Sequence, residues 1–148
     1  MTTQRVNVLG VGVSVTNRNH ALETIEEWIT NGASNYICVT GMHGVMESQK
    51  DEDLCRIHNR SGLTVPDGRQ LVWLGRLAGH SAMQQVPGQE FIIDVCEASV
   101  AKGWRHFFYG GNEGVAEELA TNLQERFPGL QVAGTYCPPF RPLTDEEE

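Results

Sequence analysis

Apolar, β-branched runs alternate with helix-periodic segments along this chain. The run VNVLGVGV (6–13) suits a buried strand; HALETIEEWIT (20–30) follows, with Leu22, Ile25, Trp28 and Ile29 on one helical face and Asn17 or Asn19 as its cap. NYICVT (35–40) reads as the second strand. Helical turns are expected from about His43 to Asn59, marked by Val45, Met46, Leu54 and Ile57, and GLTV (62–65) as a short third strand. RQLVWLGRLAG (69–79) and QEFIIDVCEASVAKG (89–103) read as helices joined by a loop holding Pro87 and Gly88. WRHFFYGG (104–111) is a fourth strand, EGVAEELATNLQERF (113–127) a strong helix, and LQVAGTY (130–136) a fifth strand.

Strands that are apolar on both faces and separated by helices call for a mainly parallel sheet covered on both sides. The predicted fold class is therefore α/β, a Rossmann-like sheet with helices on both faces. At 148 residues the chain reads as a single domain, with no repeat, low-complexity segment or linker to divide it. In such sheets ligands collect beyond the carboxyl ends of the strands, where loops and helix N-termini converge. Three segments lie there: VTGMHG (39–44), VPDG (65–68) and YGGNEG (109–114).

Composition narrows the function. A formal net charge of -8 and the lack of a Lys/Arg cluster disfavour nucleic acid, which needs cations to displace counterions from phosphates. No run approaches the roughly 20 apolar residues of a spanning helix, and MTTQRVNVLG lacks a signal-peptide pattern, so a cytoplasmic protein is expected. Cys38, Cys55, Cys96 and Cys137 are scattered without ligand-like spacing, as are the histidines, giving no support for a metal or a disulfide framework. Cys38 and Cys96 read as core filler, and Trp73, Trp104, Phe107 and Phe108 as packing residues. The ending PPFRPLTDEEE carries an acidic run like the first turn of a helix.

The segment GLTVPDGRQLVW (62–73) holds the sharpest candidate. Pro66 stiffens the approach and Gly68 permits a sharp turn, so Asp67 is projected at the top of the sheet. It can serve as an N-cap for the helix that follows, or as a general base that removes a proton from an attacking hydroxyl. In VTGMHG, Thr40 offers a hydroxyl and His43 an imidazole, or a solvated side chain at a helix start. Gly110 and Gly111 permit a tight turn that is either structural or a diphosphate seat at a helix N-terminus. Tyr136 can stack on a base or cap a core. Arg69 and Arg141 are candidate cations for a leaving group's charge.

The order VNVLGVGVS, VTGMHGVMESQKD, GLTVPDGRQLVWLGRLAG, VPGQEF, HFFYGGNEGVAEELA and FPGLQVAGTYCPPFRPL resembles the WecG/TagA/CpsF family of bacterial glycosyltransferases along nearly the entire chain. The resemblance implies an inverting, metal-independent transfer of an N-acetylmannosamine-type sugar from a UDP-sugar to undecaprenyl-diphosphate-linked N-acetylglucosamine. The products belong to teichoic acid linkage units, enterobacterial common antigen or capsular and exopolysaccharides. It places the family's base on Asp67 and its substrate-pocket threonine on Thr40; His43, Gly68, Arg69 and Gln85, read from the chain itself, are further candidate substrate-binding residues. The glycine loop falls on Gly110 and Gly111, and the nucleotide-approaching segment on Gly134, Thr135 and Tyr136. No cofactor is implied. The implied partners are a UDP-sugar donor and a lipid-linked sugar acceptor at the inner face of the plasma membrane, with room for a homo-oligomer.

Three departures from the family pattern stand out. Met42 and His43 occupy a stretch where many members have asparagine, Gln85 stands where many have arginine, and members continue well past PPFRPL. A truncated, partial enzyme with low or absent activity by itself is expected from the last. The alternative from another class is a non-catalytic nucleotide-binding or assembly module built on this fold. A nicotinamide oxidoreductase is disfavoured, because GVGVSV lacks the glycine fingerprint and no acidic residue closes the second strand.

Overall fold

A computed structural model describes residues 3–147 of the chain. Among the described residues, six helices and six short strands form a mixed α/β architecture, as the sequence predicts. The strands make three two-stranded sheets, two of them parallel and one antiparallel, where one continuous sheet was expected. The chain divides between Ile92 and Ile93 into two compact units.

In the first unit, the run read as one strand is a hairpin of β1 (Arg5–Val8) and β2 (Val11–Ser14), paired antiparallel with Val8 opposite Val11. The reversal occurs at Leu9 and Gly10, whose φ values are 51° and 89°. Two successive positive φ values suit a tight hairpin turn, and Asn7 steadies this one, its Oδ1 accepting from Gly10 N at 2.9 Å. The hairpin's Val6, Val8, Val11 and Val13 form the core with Val45, Leu71 and Met83.

Helix α1 (Arg18–Thr30) starts at Asn17, whose side chain accepts from His20 N. Ala21 and Thr24 are its buried residues, whereas Ile29, assigned to the core face by periodicity, is 49% exposed. Strand β3 (Ile37–Thr40) leads into α2 (Met42–Glu47) and α3 (Glu52–Arg60), the latter capped by Asp51 on the N–H groups of Asp53 and Leu54. The fully buried β4 (Leu63–Pro66) runs parallel to β3, with Ile37 opposite Leu63 and Thr40 opposite Pro66. Between β4 and β2 a side chain replaces a ladder bond: Thr64 N donates to Ser14 Oγ at 2.9 Å. Helix α4 (Arg69–Leu77) buries Leu71, Val72 and Gly75 and leaves Trp73 exposed, contrary to its expected packing role.

Helix α5 (Gly88–Lys102) carries the division between the units. The second unit pairs β5 (Arg105–Tyr109) with β6 (Gln131–Tyr136) in parallel, with a register irregularity between His106 and Phe107, and places α6 (Val115–Arg126) between them in sequence. Its core is Cys96, Phe108, Ala116, Ala120, Leu123 and Leu130. Phe108 packs there as expected, but Phe107, on the opposite face of the strand, is exposed. Cys96 is buried and Cys38 half-buried; desolvation raises both thiol pKa values, opposed at Cys38 by a hydrogen bond with Ser61 and the charge of Arg5. Among the described residues, no helix is long and apolar enough to cross a membrane.

Candidate active site

Parallel pairing of β3 with β4 sets their carboxyl ends level, so the residues that leave each strand meet. Asp67 N donates to Thr40 O at 2.9 Å, extending the ladder one step beyond Pro66. The two turns then touch backbone to backbone: a Cβ on Gly68 would lie 3.6 Å from Gly41 Cα and 3.8 Å from Met42 N. Gly68 itself has φ -91° and ψ 142°, an extended conformation open to any residue. The expectation that glycine is needed here for a sharp turn is therefore corrected; a Cβ would meet Gly41 Cα and Met42 N at ordinary contact distance and, at 3.1 Å, the far end of the Gln70 side chain.

Asp67 is not a cap. The N-cap of α4 is Gly68, with no side-chain cap bond, and among the described residues nothing hydrogen-bonds or ion-pairs with the half-buried Asp67 carboxylate. The backbone beneath it, by contrast, is tied down. Asp67 O accepts from Gln85 Nε2, Val86 N donates to Pro66 O at 2.8 Å, and Gln84 N donates to Thr16 O at 3.0 Å. An unengaged carboxylate on a fixed turn has the acceptor capacity that a general base requires.

Thr40 lies beneath this turn and is only 3% exposed. Its Oγ1 is 2.7 Å from His58 Nε2, while His58 Nδ1 lies 3.0 Å from Leu54 O and 3.2 Å from Ser48 Oγ. A carbonyl can only accept and Ser48 Oγ already donates to Gly44 O, so the network assigns the imidazole proton to Nδ1 and makes Thr40 the donor to Nε2. His43, the second residue of α2, and Arg69, the first residue of α4, are both exposed. The structure thus brings together Thr40, Asp67, Gly68 and Gln85.

His58 is the participant that the pattern concealed. Periodicity placed Ile57 inward on α3, yet Ile57 is 49% exposed and His58 is 5% exposed. Three concavities of the first unit, of about 340, 420 and 360 Å³, are lined by other residues, among them Glu23, Cys55 and Trp28 respectively.

In the second unit, Gly110 and Gly111 follow β5 with φ values of 115° and 76°, and Gly114 at 84° precedes α6. These are left-handed conformations that favour glycine. Gly110 N donates to Tyr136 O at 2.9 Å, so that N–H is engaged, as is Thr135 Oγ1, which lies 3.2 Å from Glu117 Oε1. The Tyr136 ring, 45% exposed, pairs with Tyr109 at a centroid distance of 5.7 Å. At the chain's end, Arg141 donates to both Glu147 carboxylate oxygens at 2.8 Å, so this candidate cation is engaged by a carboxylate.

The sequence pattern of the WecG/TagA/CpsF glycosyl transferase family matches residues 6–148. The chain belongs to that family. A Bacillus subtilis (strain 168) protein, N-acetylglucosaminyldiphosphoundecaprenol N-acetyl-beta-D-mannosaminyltransferase, is 24% identical to it over 85 residues, a match covering 57% of this chain and 33% of that relative. The chain thus matches about a third of the length of that curated relative.

Proposed function

We propose that this chain carries the base-bearing part of an inverting glycosyltransferase of cell-surface polysaccharide synthesis. The transferred sugar is of the N-acetylmannosamine type and the acceptor an undecaprenyl-diphosphate-linked N-acetylglucosamine, by analogy with the Bacillus relative's name, and the donor is proposed to be the UDP derivative of that sugar. The observation that carries the reading is the Asp67 carboxylate, half-buried, unengaged and held on a tethered turn at paired strand ends.

Asp67 takes the proton of the acceptor hydroxyl as that oxygen attacks the anomeric carbon from the face opposite UDP. The new C–O bond forms, the bond to the diphosphate breaks, UDP leaves with the electron pair, and the configuration inverts. Assistance by a positioned base contributes about 10²- to 10⁴-fold. Thr40, buried and donating to His58, supports the turn through its carbonyl, and exposed Arg69 and His43 are the polar groups proposed to meet substrate.

Incubation with UDP-N-acetylmannosamine and a short-chain lipid-diphosphate-linked N-acetylglucosamine tests the proposal. The expected result is slow formation of a disaccharide of inverted anomeric configuration together with free UDP. Calorimetric binding of UDP without any sugar transfer would instead favour a non-catalytic nucleotide-binding module.

A further inference from the structure

Asp67 sits in a turn whose neighbouring backbone is held from two sides. From β3, the Thr40 carbonyl accepts the Asp67 N–H. From the loop between α4 and α5, the Gln85 side-chain amide donates to the Asp67 carbonyl, and the adjacent Val86 N–H donates to the Pro66 carbonyl at 2.8 Å. Both polar groups of the Asp67 main chain are thereby engaged, while its carboxylate is left unbound.

The loop that supplies Gln85 is itself anchored. Met83 is fully buried in the core, its carbonyl accepts from Arg76 Nε at 3.0 Å, and Gln84 N donates to Thr16 O at 3.0 Å. A Cβ on Gly75 would come within 2.1 Å of Met83 Sδ, so the glycine on α4 makes room for that anchor. Side chain 85 therefore projects from a fixed base towards a fixed target. A main-chain carbonyl can be met only by a donor, and the neutral amide provides one without placing a charge beside the Asp67 carboxylate.

We propose that Gln85 is a positioning residue, which orients the proton-accepting carboxylate by clamping the carbonyl of the same residue and does not itself contact the reacting atoms. This deepens the reading of Asp67 as base and rests on it. The requirement at position 85 is an N–H donor of sufficient reach. Gln85→Met keeps the length and removes the donor; Gln85→Lys restores a donor.

The test pairs hydrogen exchange at the Asp67 amide with steady-state kinetics in wild type, both Gln85 variants and Asp67→Asn. In Gln85→Met, exchange at Asp67 accelerates while core amides such as Val65 are unchanged. Its kcat falls on the order of tenfold to 10²-fold with little change in the donor KM, the signature of a displaced catalytic group. Gln85→Lys recovers exchange protection, and kcat only in part, because its ammonium lies beside the carboxylate. Unchanged exchange in Gln85→Met overturns the clamp, and accelerated exchange with wild-type kcat overturns the positioning role. Wild-type turnover in Asp67→Asn, or none in the wild-type chain, sinks the general-base reading instead, leaving exchange at Asp67 to judge the clamp.

Discussion

Two glycine-bearing turns, each following a parallel strand, solve the same local problem by different means. Gly110 and Gly111 are where they are because the backbone there is left-handed, and the cost of a side chain would be conformational. Gly68 has ordinary dihedral angles; its neighbourhood is defined by contacts, with the Gly41 turn beside it, the Asp67 N–H donating to the Thr40 carbonyl, and hydrogen bonds from Gln85 and Val86 around it. One turn is shaped by φ and the other by tethers. A turn fixed by tethers can hold a functional side chain in place while leaving that side chain free, as Asp67 is.

The largest expected effect lies beneath the Asp67 turn. Thr40→Val leaves His58 Nε2 without its donor in a buried site, and is expected to cost about 1–3 kcal/mol in urea denaturation. Gly111→Ala forces a left-handed alanine and meets Val115 Cβ at 3.2 Å, for an expected loss of about 1–2 kcal/mol. Gly68→Ala should change stability by less than about 0.5 kcal/mol, because its Cβ meets Gly41 Cα and Met42 N at ordinary contact distance and comes closer, at 3.1 Å, to the far end of the Gln70 side chain, which can move aside. Equal losses for the two glycine variants would erase the distinction.

The smallest effect concerns the C-terminal turn. Arg141 first, then Thr144 N–H and hydroxyl, hold Glu147 at a pKa of about 2, below its ordinary 4.5. A depressed folded value means that the turn's stabilisation is complete above about pH 4.5 and is lost as pH falls towards about 2. Carboxyl chemical shifts of Glu147 across that window, with the core amides unmoved, are the expected readout.

Much of this was legible in sequence. Element types followed from periodicity because α/β proteins bury whole strands and one face of each helix, and the Asp67 turn was flagged by its proline and glycine. Where periodicity failed, polar chemistry had replaced apolar burial. The continuous run at residues 6–13 concealed a hairpin, since Leu9 takes a positive φ that apolar character does not advertise. On α3 the buried position belongs to His58, which is held by Thr40, Ser48 and Leu54 rather than by hydrophobicity. The capping alternative for Asp67 stays open in the sequence, because a cap and a base share the same residue type and position. Gln85 could be aligned with a family position, but its bond to a main-chain carbonyl 18 residues away depends on how the loop folds back.

The central claim is that the unengaged Asp67 carboxylate accepts the acceptor's proton. Single-turnover transfer by Asp67→Asn, measured beside wild type with donor binding and thermal melting as controls, tests it most directly. The expected result is a loss of about 10²- to 10⁴-fold in rate with both controls unchanged; transfer at the wild-type rate would contradict the assignment.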